Sequence, residues 1–217
     1  MILWDRNIFF SHISGTAGTT IEEAFLGCSQ WWIDPMRQHV PMSTLYQMHN
    51  DVDFSKMFKF SVVRHPFERI RSLWRFAKCY PFVLNEKGQI DIHHYIRPNQ
   101  RIYMDEVPSI MIEELLGLRY SVVPRHWHVE GTTYMNTLDK PCDKIYKFEE
   151  LSDCFDDLSD RFNVPREKFN RNETQKSRFK PYLSEKSKEI IRRVQRLDFE
   201  KFGYDPYLPD AEASPCQ

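Results

Sequence analysis

Phe9-Phe10-Ser11-His12-Ile13-Ser14-Gly15-Thr16-Ala17-Gly18-Thr19-Thr20-Ile21-Glu22-Glu23-Ala24-Phe25 decides the fold of this chain. The apolar run Ile8 to Phe10 predicts a short buried strand. Ser14 to Thr20 are seven small or hydroxylated residues and predict a tight loop, after which Ile21, Ala24 and Phe25 recur at helical spacing. Strand, loop and helix in that order aim backbone N–H groups and a helix N-terminus at an anion. Two of the chain's seven glycines, Gly15 and Gly18, fall in this loop. It lacks the Gly-Lys-Ser/Thr ending of an ATP or GTP phosphate loop, which argues against an ordinary nucleoside triphosphatase.

Downstream, the helix opened by Thr19 or Thr20 should run to Gly27, and Ser43 to Met48 reads as a short helix. Phe58 to Val63 is near-continuously apolar, as expected of a strand buried on both faces. It ends at Arg64-His65, and Pro66 is suited to open a helix carrying Phe67, Ile70, Trp74 and Ala77 on one face. Residues 80–105 read as a long, partly helical insertion, and Ile110 to Leu116 as a helix. Lys144 to Phe148 predicts another strand, followed by a helix with Leu151, Phe155 and Leu158. Residues 163–181 read as a polar, basic surface loop, and Ser184 as the N-cap of a last helix. This alternation implies an α/β fold: a three-layer parallel sheet flanked by helices, in one domain over 1–206 with a tail at 207–217.

At 217 residues and 41% apolar, the chain can fill the core of one such domain. Its net charge of −1 argues against duplex nucleic acid as a partner, since such proteins carry a clear basic excess. Five widely spaced cysteines include no metal-ligand spacing, so no metal is expected and a reducing compartment is the default. No run of 18 apolar residues occurs, so no transmembrane segment is expected. The sequence as it stands reads as cytoplasmic, or as Golgi-luminal if an upstream anchor has been removed.

Two loops at the ends of neighbouring parallel strands, one an anion nest and one holding an arginine, meet at the carboxyl edge of such a sheet. Here the chain resembles the sulfotransferases that use 3′-phosphoadenosine 5′-phosphosulfate (PAPS). His12 to Glu22 is similar to their 5′-phosphosulfate loop, commonly Pro-Lys-Thr-Gly-Gly-Thr-Ser. Val63-Arg64-His65-Pro66-Phe67-Glu68-Arg69-Ile70-Arg71-Ser72 is similar to their Val-Arg-Asp/Asn-Pro-x-x-Arg-x-x-Ser motif. Ile145 to Leu151, and Asp198-Phe199-Glu200-Lys201-Phe202-Gly203-Tyr204, resemble segments of the membrane-type carbohydrate sulfotransferases. The resemblance implies that Ser14, Gly15, Thr16, Ala17, Gly18, Thr19 and Thr20 cradle the phosphosulfate, and that Arg64 and Ser72 hold the 3′-phosphate. Arg69 is read either as a cofactor contact or as a helix-face cap.

An acceptor hydroxyl needs a base, and histidine is tuned for that near neutral pH. His39, in Gln38-His39-Val40-Pro41, resembles the histidine that precedes the same strand in heparan-sulfate-type enzymes and is the first candidate; His49 is the second. His126 and His128 flank Trp127 in a stretch that resembles the family's His-Trp-x-Pro-Gln, with Val129 and Glu130 in place of Pro-Gln, and the resemblance implies an acceptor-site lining; His12 reads as a strand-end packing residue. The main departure is Gly15, where the family has lysine; Ser14 stands where it has proline. Losing such a donor costs on the order of 10²–10³ in rate. Either another cation reaches in, with Lys176, Arg178 and Lys180 as candidates, or the chain binds nucleotide without turnover, or the position has been altered. The expected function is sulfuryl transfer from PAPS, giving 3′-phosphoadenosine 5′-phosphate (PAP), to an alcohol: a glycan by resemblance, or a small molecule. The alternative is a degenerate sulfotransferase fold that binds nucleotide or a partner without catalysis. A phosphoryl-transferring kinase is disfavoured, because no Walker lysine follows Gly18.

Overall fold

The computed structural model describes residues 1–33, 39–79, 83–84, 90–91, 138–169 and 183–208, with backbone alone at 31–32, 73–79, 83–84 and 90–91. The chain divides into two compact units, with a break between His65 and Pro66. The first unit is built on strands β1 (Ile2–Leu3), β2 (Ile8–Ser11), β3 (Phe58–Val63) and β6 (Lys144–Lys147), hydrogen-bonded in the order β1-β2-β3-β6. Strands β2, β3 and β6 run parallel, with Ser11 opposite Ser61 and Val63 opposite Lys147. β1 is antiparallel to β2, so the sheet is mixed where an all-parallel one is expected from sequence. Two residues are too few to carry a strand signal of their own; β1 forms because a short turn at Trp4–Arg6 reverses the chain onto the edge of β2.

Period-two alternation along β2 splits the core of this unit. Ile8 and Phe10 face one cluster with Phe60, Val62 and Tyr146. Helix α1 (Gly18–Leu26) adds Ile21 and Ala24, and α5 (Leu151–Phe162) adds Cys154, Phe155 and Leu158. Phe9 points the other way, into a cluster with Met42 and Leu45 of α3 (Met42–Met48) and with Phe54 and Met57. Helices thus cover both faces of the strands that position the loop. Helix α1 ends at Gly27 in the left-handed region, and a short α2 (Gln30–Ile33) follows. In the basic stretch 163–181 the described residues, 163–169, depart from the surface-loop reading: Val164 and Phe169 are buried in the first cluster, around a 3-10 turn at Arg166–Phe169. A single core aromatic among charged neighbours leaves no periodic trace. Burial pushes the Cys154 thiol up to about 12, which suits a core residue. Phe10 is fully buried and stacks on Phe60 at 4.9 Å between ring centroids. Phe10→Ala is expected to cost about 3–5 kcal/mol, read as a lower urea midpoint at unchanged slope. A loss below about 1 kcal/mol would contradict this core.

The second unit contains α4 (Pro66–Cys79), the antiparallel pair β4 (Val83–Leu84) and β5 (Ile90–Asp91), α6 (Glu185–Val194) and α7 (Arg196–Phe202). In the insertion at 80–105 the described residues are this strand pair, where a partly helical segment is expected. Ser184 caps α6 as expected, its hydroxyl accepting from the Ser187 N–H. The predicted single last helix breaks at Gln195, and Gly203 closes α7 in the left-handed region. Phe199 meets Phe67 of α4 edge to face at 5.5 Å, which gives the closing Asp198-to-Tyr204 motif a packing role against the helix that follows Arg64. No helix among the described residues is long and apolar enough to cross a membrane. The predicted helix at Ile110 to Leu116, the stretch with His126 and His128, and Lys176, Arg178 and Lys180 lie outside the described residues.

Candidate active site

The site is assembled where β2 and β3 end side by side, with Ser61 Oγ donating to the Ser11 carbonyl at 2.7 Å. Beyond β2 the chain turns through Ser14 to Ala17 before entering α1. Gly15 lies at φ 81° and Ala17 at φ 65°, both left-handed. Alternating hand of this kind turns successive N–H groups to one side, which makes an anion nest. Ala17 is the N-cap and offers no side-chain cap, and its carbonyl accepts from Thr20 N at 3.0 Å. The N–H groups of Gly18 and Thr19 are left to a ligand or solvent, with the positive end of the helix dipole behind them.

Of the loop hydroxyls, Thr16 turns inward: it is fully buried and its Oγ1 donates to the Ile13 carbonyl at 2.7 Å. Its backbone belongs to the nest, while its side chain braces the loop from below. Thr19 and Thr20 are half-buried at the start of α1, and Ser14 is half-buried in the turn.

Arg64, three residues past Ser61, crosses to the loop and donates from Nη1 to the Gly15 carbonyl at 3.2 Å. Its guanidinium carbon sits 3.8 Å from the centroid of the Phe148 ring, a stacked cation–π contact. Its neighbour His65 donates its backbone N–H to Glu149 Oε1 at 3.0 Å. Ser72 lies on α4 in the second unit and is half-buried there; Arg69 on the same helix is buried.

Beneath the loop lies a pair that apolar periodicity does not flag. His12 Nδ1 and Glu22 Oε1 are 2.6 Å apart, and Glu22 Oε2 accepts from Ser29 Oγ at 3.1 Å and Gln30 N at 3.0 Å. The Glu22 carboxyl is wholly buried. Burial alone would raise its pKa, but the hydrogen bond and charge of His12 and the Gln30 N–H outweigh it and hold the group below its ordinary value. The His12 ring lies against Gly18, where a Cβ would fall 2.0 Å from it, so glycine is required by close approach.

The two candidate bases separate. His39 Nδ1 is 3.2 Å from the His12 carbonyl, and the His39 and His12 rings meet edge to face at 4.3 Å. His49 instead packs on Trp4 at 5.1 Å, with Nε2 buried and unbonded among the described residues. Trp4 precedes β2 and the anion loop follows it; four residues of strand at roughly 3.3 Å each separate the two ends. Among the described residues no cluster of three His, Cys, Asp or Glu side chains forms.

The sulfotransferase family model matches residues 2–114, which take in the loop, both histidines, Arg64 and Ser72. The chain belongs to the sulfotransferase family. No curated protein and no solved structure gave a significant match. As a sulfotransferase the chain is a transferase acting on an acceptor substrate, and the four-stranded α/β sheet suits that family. The nest between β2 and α1 has the geometry of an anion site.

Proposed function

We propose that this protein transfers a sulfuryl group from PAPS to an acceptor hydroxyl, with one domain spanning 1–206. The observation that carries the reading is the Arg64 guanidinium at the Gly15 carbonyl, which brings a cation onto an uncapped helix-terminal nest. These groups fit the anionic end of a nucleotide donor: oriented N–H groups, a helix N-terminus and a planar fork of donors. When bound, PAPS supplies the activated sulfuryl group: an acceptor O–S bond forms as the S–O bond to the bridging phosphate oxygen breaks, and that oxygen keeps the electron pair. The N–H groups of residues 14–20 bind the phosphosulfate, and Arg64 binds phosphate. Ser72 is proposed as a second 3′-phosphate ligand on resemblance alone.

His39 is the proposed base. A carbonyl only accepts, so the contact with the His12 carbonyl assigns the proton to His39 Nδ1 and the lone pair to Nε2. That tautomer takes the acceptor's proton at Nε2. His49, packed on Trp4, is the weaker candidate. The acceptor class, a carbohydrate hydroxyl, rests on the family resemblance.

Calorimetry tests the donor site. PAP is expected to bind, and Arg64→Ala to weaken it roughly 10–100-fold, the worth of one or two hydrogen bonds to a charged group. Unchanged affinity in the variant would remove Arg64 from the site. A second reading, nucleotide binding without turnover, is favoured by the glycine at position 15, where the loop itself carries no charged side chain. Radiolabelled sulfate transfer to a panel of glycans and small alcohols separates the two. Tight PAP binding with no product on any acceptor supports the second.

A further inference from the structure

We propose that Arg64, besides any contact with a 3′-phosphate, serves the phosphosulfate end of the donor and takes the place of a cation on the loop. The proposal rests on the PAPS reading above. In the transfer the acceptor's proton goes to the base and the electron pair stays on the bridging phosphate oxygen, so negative charge grows at the loop. A preorganised donor at such a point is worth about 10²–10³ in rate. Residues 14–20 are Ser, Gly, Thr, Ala, Gly, Thr and Thr, and none supplies a charge.

The backbone itself disfavours a lysine there. Gly15 lies at φ 81°, a conformation that a residue with a side chain adopts only with strain. Arg64 Nη1 is bonded to the carbonyl of that same residue at 3.2 Å, so its charge lies within a side-chain length of position 15. Phe148 stacks on the guanidinium at 3.8 Å and fixes its plane, while the parallel register of β2 and β3 fixes where its chain starts. An arginine fork can reach more than one acceptor at once. Three features therefore converge on position 15: a loop without charge, a backbone that disfavours lysine, and an arginine anchored to that residue from the neighbouring strand.

The deciding comparison uses two ligands that differ at the 3′ end. PAP carries the 3′-phosphate; adenosine 5′-phosphosulfate lacks it. Affinities of both for the full chain and for Arg64→Ala are measured by calorimetry, with competition against PAP where direct heats are small. The expected result is that Arg64→Ala weakens adenosine 5′-phosphosulfate by about tenfold or more, comparable to its effect on PAP. Arg64→Lys, which keeps the charge and loses the fork, should retain most of the adenosine 5′-phosphosulfate affinity. A variant that binds adenosine 5′-phosphosulfate as the wild type does, and loses only PAP, overturns the proposal and leaves Arg64 a 3′-phosphate ligand. A wild type that binds neither ligand overturns the PAPS reading itself. Thermal unfolding of both variants separates a lost contact from a lost fold.

Discussion

His39→Ala is expected to lower turnover at saturating donor by roughly 10²–10⁴-fold, the usual worth of a positioned general base, while PAP affinity changes little. The expectation follows from three observations on one residue. His39 holds a left-handed backbone at φ 62°, unusual for a side chain with a Cβ and retained only where surroundings over-determine it. Its Nδ1 meets the His12 carbonyl, which fixes the tautomer with the lone pair on Nε2. Its ring sits against that of His12, whose own ring rests on the first residue of α1. The proposed base is thereby tied to the loop proposed to receive the donor. A residue acting only in packing would lower the amount of folded protein and leave the pH profile of turnover alone. Loss of a base removes the acid limb of that profile. Full activity in His39→Ala, with loss in His49→Ala, would move the role to His49. The buried, unbonded Nε2 of His49 against Trp4 argues for packing there instead.

The legible parts of this molecule were those in which one local rule dominates. Ile8 to Phe10 is an unbroken apolar run and Phe58 to Val63 a near-continuous one, and both strands lie where those runs predict them. Gly27 stops α1 and Ser184 caps α6, since each position has one residue type that the backbone favours. Contacts between distant segments were not legible. His39 and His49 both lie between β2 and β3, and chain order alone ranks them without separating them; their ring neighbours do. Phe169 hides in a basic stretch because a window of composition averages over one aromatic. Arg64 announces an anion site by its motif, but its bond to Gly15 depends on strand register. Glu22 is the plainest case. A glutamate one turn into a helix reads as a solvated charge, whereas here it is wholly buried and accepts from three partners.

That burial sets a large expected effect on stability. Glu22→Ala removes the acceptor of the His12 ring, the Ser29 hydroxyl and the Gln30 N–H together, all beneath the loop. Breaking one side of a buried pair typically costs about 3–5 kcal/mol, because the partners stay buried without an acceptor. Denaturant unfolding of Glu22→Ala should lose that amount, a large share of a domain's stability. Glu22→Gln keeps the shape and one carbonyl acceptor, and should lose about 1–3 kcal/mol. The pH dependence discriminates further. The carboxyl of Glu22 is held below its ordinary value of 4.5 in the folded protein. Its stabilising contribution is therefore fully present above pH 4.5 and is lost as the pH falls through the lower folded value. The gap in stability between wild type and Glu22→Gln should accordingly narrow as the pH falls below 4.5. A gap that does not narrow in acid would mean that the carboxylate charge contributes nothing. The pair would then act by shape alone, and the loop would rest on the close fit of the His12 ring to Gly18.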